Sequence, residues 1–189
     1  MIEWITQADF AVLYWIRERL CCGFLDAVMP ALSDSMNAGI PCILLAAVLL
    51  CVPKTRRTGL AIGIALASGF LFGNMVVKNI VARVRPCDVD TLIELLVERL
   101  SDFSFPSGHA IACFGTATVL TVRHRKVGVA ALVLAALVAF SRLYLFVHYP
   151  TDVLAGVLIG VGAGLFGCKL AEPLCDAIAR RWQSRRFRS

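Results

Sequence analysis

The chain has 189 residues, 59% of them hydrophobic and only 17% charged, with a mean hydropathy of +0.78. That leaves too little polar surface for an ordinary water-soluble domain, so the chain reads as a membrane protein. Its net charge of +6 comes largely from short basic segments whose spacing follows a membrane topology, and no nucleic-acid partner is expected from it.

Residues 1–34 open the chain ambiguously. Residues 9–20 mix Phe10, Leu13, Trp15 and Ile16 with Arg17, Glu18 and Arg19, which suits an amphipathic helix lying in the membrane interface. Residues 21–32 are apolar but short and contain Asp26 and Pro30, so an irregular first span stays open beside the interfacial reading. No basic segment precedes an apolar core with a cleavage site, so no removable signal peptide is expected. Five runs free of Asp, Glu, Lys and Arg follow, at 35–53, 58–77, 103–122, 127–141 and 153–168. They run from 15 to 20 residues, against the roughly 20 that a crossing helix requires, so the last two need their flanking residues, and none shows the alternation of barrel strands. The expected fold is all-α: a polytopic membrane helical bundle with five spans, in a single domain over residues 1–189.

Lys and Arg give the orientation. Lys54, Arg56 and Arg57 share one loop, Arg123, Arg125 and Lys126 another, and Arg180, Arg181, Arg185, Arg186 and Arg188 a basic tail over 174–189. Five spans put all three on one side, expected to be cytoplasmic. The opposite side receives loop 86–105 with Asp88, Asp90, Glu94, Glu98 and Asp102, read as a solvated lid. Cys42, Cys51, Cys113 and Cys168 lie in apolar runs, where cysteine acts as a small hydrophobe. Nothing has zinc-ligand spacing, and neither the redox state of Cys87 nor an oligomeric state is read from the sequence.

Three motifs emerge on the extracytoplasmic side. Lys78 and Arg85 are seven residues apart, so a helix continuing through Val84 puts them on one face, directs Arg83 elsewhere and ends at Pro86. Cations on this side run against the positive-inside preference, which argues for an anion as their partner. Pro106-Ser107-Gly108-His109 can present backbone N–H groups at the positive end of a helix, with Ser107 adding a hydroxyl. In the third motif, Ser141-Arg142, His148 and Asp152 surround one turn. Pro150 can open the next helix, which lets Asp152 reach back to His148, fix its tautomer and free its other nitrogen. Each motif alone has a plainer reading: snorkelling cations, an ordinary Ser/Gly turn, and a His–Asp helix cap.

Taken together, Lys with six residues to Arg-Pro, then Pro-Ser-Gly-His, then Ser-Arg with five residues to His and three more to Asp closely resemble the type 2 phosphatidic acid phosphatase superfamily of membrane lipid phosphatases. The family's core is usually counted as six spans, so the resemblance implies that the N-terminal region supplies a sixth. It also implies that His148 is the nucleophile forming a phosphohistidine, that Asp152 orients it, and that His109 protonates the departing oxygen. Lys78, Arg85, Ser107, Gly108 and Arg142 would bind the phosphate oxygens, with each arginine gripping two. No metal or other cofactor is implied, although Asp88 and Asp90 lie close enough in sequence to keep a metal in view.

A phosphate site at the outer boundary of the bilayer suits a phosphorylated lipid. The resemblance offers undecaprenyl diphosphate, phosphatidylglycerol phosphate and phosphatidic acid, and compactness favours the first, in a bacterial inner membrane. The alternative from another class is a module that binds or transports phospholipid without hydrolysis. Binding alone requires neither a nucleophile nor a proton donor, and both are present in the motifs. Membrane character argues against the soluble haloperoxidases that share the site chemistry.

Overall fold

The computed structural model describes residues 2–186, and all regular structure among them is helical. In chain order the helices are α1 (Ile2–Leu20), α2 (Gly23–Ser35), α3 (Ile40–Cys51), α4 (Arg56–Gly69), α5 (Lys78–Val81), α6 (Pro86–Val89), α7 (Gly108–Arg123), α8 (Arg125–Tyr144) and α9 (Pro150–Arg186). A π-helical segment, Phe70–Val77, joins α4 to α5. Residues 174–186, expected as a tail, continue α9, and Arg188 lies outside the described residues.

The chain is an integral membrane protein. Among the described residues, three stretches are long and apolar enough to cross a bilayer: Arg56–Val89, Arg125–Tyr144 and Pro150–Ala177. α2 and α3 qualify together as a pair bent by 46°. Gly39 at φ 67° and Pro41 in the first turn of α3 account for the break, because the first is left-handed backbone and the second lacks an N–H.

α7 is the central helix, with Ala110, Ile111, Cys113, Gly115, Thr116, Ala117, Thr118, Val119 and Leu120 buried. It packs on α4, α8 and α9. Its approach to α9 is backbone to backbone. A Cβ on Gly156 would sit 2.7 Å from the Ser107 carbonyl oxygen, one on Gly160 2.7 Å from that of Ile111, and one on Gly164 2.7 Å from that of Gly115. Small residues at such spacing let membrane helices gain van der Waals contact that lipid cannot supply.

The two ends of the bundle differ in chemistry. At one, Arg57 pairs with Glu172 and Asp176 at 2.6 Å each, and Arg123 pairs with Glu172, which brings the two basic loops together as their shared side requires. At the other, α1 lies over an apolar cluster in which Leu13 and Ile16 meet Tyr144, Phe146, Val147 and Tyr149. Tyr14 donates to Asp90 at 2.8 Å and Arg17 to the Glu94 carbonyl at 3.1 Å. α1 therefore runs along the end that carries the three motifs, its apolar face down and Trp4 and Trp15 exposed.

Candidate active site

The π-helical segment before Lys78 holds one more residue per turn than an α-helix, a distortion frequent at functional sites. Beyond Lys78 the helix does not continue through Val84. It stops at Val81, and Ala82 turns left-handed at φ 46°, a conformation that costs a non-glycine residue about 1–2 kcal/mol. Lys78 and Arg85 converge all the same. Lys78 Nζ and Arg85 Nη2 each lie 2.6 Å from one oxygen of the Asp102 carboxylate. Arg85, 2% exposed, is also held by the backbone: Nε donates to the Asp102 carbonyl at 2.9 Å and Nη1 to that of Val147 at 2.7 Å. Arg85 Nη2, the nitrogen on Asp102, also donates to the Phe103 carbonyl at 3.4 Å.

Ser107 caps α7. Its hydroxyl accepts from the Ala110 N–H at 3.5 Å, and its own N–H donates to the Asp152 carbonyl at 3.1 Å, which ties the second motif to the third. A Cβ on Gly108 would stand 3.1 Å from Asn74 Nδ2, so glycine permits the close approach. His109 follows on the cavity wall.

In the third motif Ser141 turns back to the Val138 carbonyl at 2.7 Å. Arg142 is buried. Its Nη1 donates to Ser33 on α2, while its Nε has no partner. A second left-handed residue, Phe146 at φ 58°, bends the loop so that His148 enters the site. Asp152 sits at the third position of α9 and accepts from the Tyr149 N–H at 3.0 Å, the back-reach expected of an acidic residue there. His148 Nδ1 is 3.7 Å from Asp152 Oδ2, and Ser104 stands between them. Its hydroxyl donates to Oδ2 at 2.5 Å and lies 3.4 Å from Nδ1. His148 Nε2 faces the other way, 3.3 Å from Arg85 Nη1.

Lys78, Arg85, His109, Arg142 and His148 line one end of a cavity of about 660 Å³. The walls beyond are apolar, including Ile43 and Ala46 of α3 and Gly63, Leu66 and Phe70 of α4. Burial pushes His148 down to about 4, with the Asp152 hydrogen bond opposing and the charges of Arg85 and Arg142 adding to the shift. For Asp102 burial acts upward, but the Lys78 hydrogen bond and the Arg85 charge outweigh it and hold the carboxyl at about 2. Among the described residues no group of three or more His, Cys, Asp or Glu side chains could hold a metal ion. Cys87 is a buried free thiol in the cluster beneath α1.

The structure thus gathers Lys78, Arg85, His109, Arg142 and His148 around one cavity, with Asp152, Ser107 and Gly108 against it. It also adds residues that sequence reasoning did not single out. Asp102, read as part of a solvated lid, bridges the two cations. Ser104 sits beside the recognised motif, but nothing in its spacing marks it. Arg83, directed away from Lys78 and Arg85, donates to Asp152 Oδ1 at 2.7 Å and to Asp9 Oδ2 at 2.7 Å. The one signal for Arg83 was a cation on the unfavoured side of the membrane.

An integral membrane helical bundle with a cation-lined cavity and a histidine–carboxylate pair defines a class of phosphate-handling membrane proteins. The chain belongs to the PAP2 superfamily, whose family model matches residues 58–173. It is similar to an undecaprenyl-diphosphatase of Sulfolobus acidocaldarius, 36% identical over 115 residues, a match covering 60% of this chain and 55% of that relative. It also resembles a putative undecaprenyl-diphosphatase of Escherichia coli, 34% identical over 144 residues, with 75% of this chain and 70% of the relative covered. Among solved structures, a PAP2-type phosphatidylglycerolphosphate phosphatase from Bacillus subtilis superposes with a TM-score of 0.71 at 29% identity, covering 89% of this chain and 87% of that one. These three relatives are named as lipid phosphatases.

Proposed function

We propose that the protein hydrolyses a phosphorylated membrane lipid without a metal, through a phosphohistidine on His148, and that its substrate is undecaprenyl diphosphate. The observation that carries this reading is the meeting, at one end of an otherwise apolar cavity, of three buried cations and a histidine whose ring is backed by a carboxylate. Nδ1 turned to Ser104 and Asp152 leaves Nε2 as the attacking nitrogen. Nε2 bonds to the terminal phosphorus, the bond from phosphorus to the bridging oxygen breaks, and His109 delivers a proton to that oxygen. Water then attacks the phosphohistidine, giving inorganic phosphate and regenerating His148. Lys78, Arg142 and Arg85 Nη2 offset charge on the equatorial oxygens, with Ser107 and Gly108 forming the turn beside them. The unpartnered Nε of Arg142 supports this role, since a buried donor without a partner is costly.

The site faces outward in this reading, by the positive-inside preference, and the membrane is a bacterial inner membrane. We count five crossings, with the bent pair α2–α3 as the first and α1 in the outer interface, within one domain over residues 1–189. The relatives' names support undecaprenyl diphosphate. The phosphatidylglycerolphosphate phosphatase among the solved structures favours a phospholipid monophosphate as second reading. The deciding experiment measures phosphate release in detergent with excess chelator from undecaprenyl diphosphate, phosphatidylglycerol phosphate and phosphatidic acid, for the intact protein and His148→Ala. Chelator-resistant release that vanishes in the variant is expected, fastest on the diphosphate. Equal release by both proteins would remove His148 as nucleophile, and lipid binding without release would favour a binding module.

A further inference from the structure

Helix α1 lies outside residues 58–173, the part of the chain that the family model matches, yet it reaches the site through one buried side chain. Asp9 is 3% exposed and Asp152 fully buried. Two carboxylates so placed are costly unless a cation is shared between them. Arg83 is that cation. Its Nη1 donates to Asp152 Oδ1 and Thr151 Oγ1, both at 2.7 Å, and its Nη2 to Asp9 Oδ2 at 2.7 Å. Asp9 also accepts from the Thr151 N–H at 3.1 Å and hydroxyl at 2.6 Å, which fastens α1 to the first turn of α9. Arg83 Cζ lies over the Tyr149 ring, 3.7 Å from its centroid, a cation–π contact that helps hold the fork in place.

We propose that Asp9 and Arg83 form a positioning pair that holds the Asp152 carboxylate against His148, making α1 part of the catalytic apparatus. The terminal torsion of an aspartate is soft, and Arg83 pins it at Oδ1. Oδ2 is thereby left to Ser104, the Tyr149 N–H and His148. The Arg83 backbone acts on the same carboxylate: its carbonyl accepts from the Ser104 N–H at 2.8 Å, and the Ser104 hydroxyl donates to Oδ2. Arg83 is absent from the cavity wall that Lys78, Arg85 and Arg142 line, so it acts through Asp152 and does not touch phosphate.

The inference rests on the phosphatase reading. Phosphate release is measured on undecaprenyl diphosphate for the intact protein, Arg83→Gln, Arg83→Lys, Asp9→Asn and the Asp9→Asn/Arg83→Gln double variant, with the inhibition constant of inorganic phosphate and the melting temperature in detergent. A misplaced reacting group lowers the chemical step, so kcat is expected to fall on the order of a hundredfold in Arg83→Gln, less in Asp9→Asn, with partial recovery in Arg83→Lys. KM and phosphate inhibition should stay within about twofold, since binding contacts are untouched. The double variant should be no worse than Arg83→Gln alone. Unchanged kcat, a loss carried by KM and phosphate inhibition, or fully additive losses would each overturn the pair. If Arg83→Gln yields no folded protein, the same kcat-against-KM split in Asp9→Asn decides. Failure of the underlying reading looks different: the intact protein releases no phosphate, or His148→Ala releases as much, and the positioning role falls with it.

Discussion

Among single residues, Asp102 has the least expected position. Its carboxylate spans Lys78 and Arg85, so in the proposed mechanism a substrate phosphate would displace it from those two cations. With a side chain 53% exposed, the pair is screened and worth about 1 kcal/mol or less. Asp102→Asn should therefore lower KM by about two- to fivefold, most visibly at low salt, in steady-state assays across ionic strength. A raised KM would mean that Asp102 arranges the cations instead of competing for them. His148 gives the pH dependence. Attack needs the neutral ring, and burial, reinforced by Arg85 and Arg142 against the Asp152 hydrogen bond, brings its pKa to about 4. Activity should thus persist as pH falls below 6 and be lost through about 4, in kcat/KM corrected for substrate ionisation. Loss centred near 6.5, the ordinary imidazole value, would count against a buried neutral nucleophile. At this scale the sequence was legible where chemistry repeats as a local string, as in Pro106-Ser107-Gly108-His109. Asp9, 142 positions from the Thr151 it grips, left no such string, because a pair formed by folding has no spacing to read.

At the scale of elements, the glycines of α9 decide how the second and third motifs meet. A Cβ on Gly156 would press to 2.7 Å from the Ser107 carbonyl oxygen and 2.8 Å from Ala110 Cβ, whereas Gly162 has nothing within 4 Å. Backbone and a buried methyl cannot swing aside, so Gly156→Ala should cost about 1–3 kcal/mol and push the Ser107 turn away from Asp152. Gly162→Ala should hold or raise the melting temperature, since alanine is the better helix former, and leave kcat unchanged. Thermal unfolding in detergent and turnover, measured together, check both, and equal tolerance at the two positions would contradict the close contact. Arg56–Val89, Arg125–Tyr144 and Pro150–Ala177 were visible in the sequence because lipid permits few polar interruptions, whereas the run at 103–122 forms the 16-residue helix α7, which is not among those stretches. The α2–α3 break was visible only as residues unsuited to a straight span. The π-helical segment before Lys78 was not visible, since an extra residue in a turn leaves composition unchanged. α1 was legible as amphipathic, and the end of the bundle it covers follows from packing with Tyr144, Phe146 and Tyr149.

For the molecule as a whole, the cavity joins a charged end to apolar walls. Its charged end holds Lys78 and His148, and its apolar walls reach Ala46 and Gly63. Gly63 and Lys78 are fifteen positions apart in the chain, about 20 Å along a helix, which is room for the start of a lipid tail and far too little for all of a long one. A Cβ on Gly63 would have nothing within 4 Å, and Gly63 lines the cavity, so a larger side chain there competes for cavity space. Gly63→Trp should leave the melting temperature unchanged and leave kcat/KM for a short-chain phosphate close to that of the intact protein. For a long-chain substrate it should raise KM, because the new side chain takes the space that the tail would fill between α3 and α4 and so excludes it sterically. The measurement is kcat/KM across a series of chain lengths for the two proteins. If the ratio of long-chain to short-chain efficiency is the same in both, the tail does not enter between α3 and α4, and selectivity must arise at the headgroup end, where Asp102 and the outer loop stand.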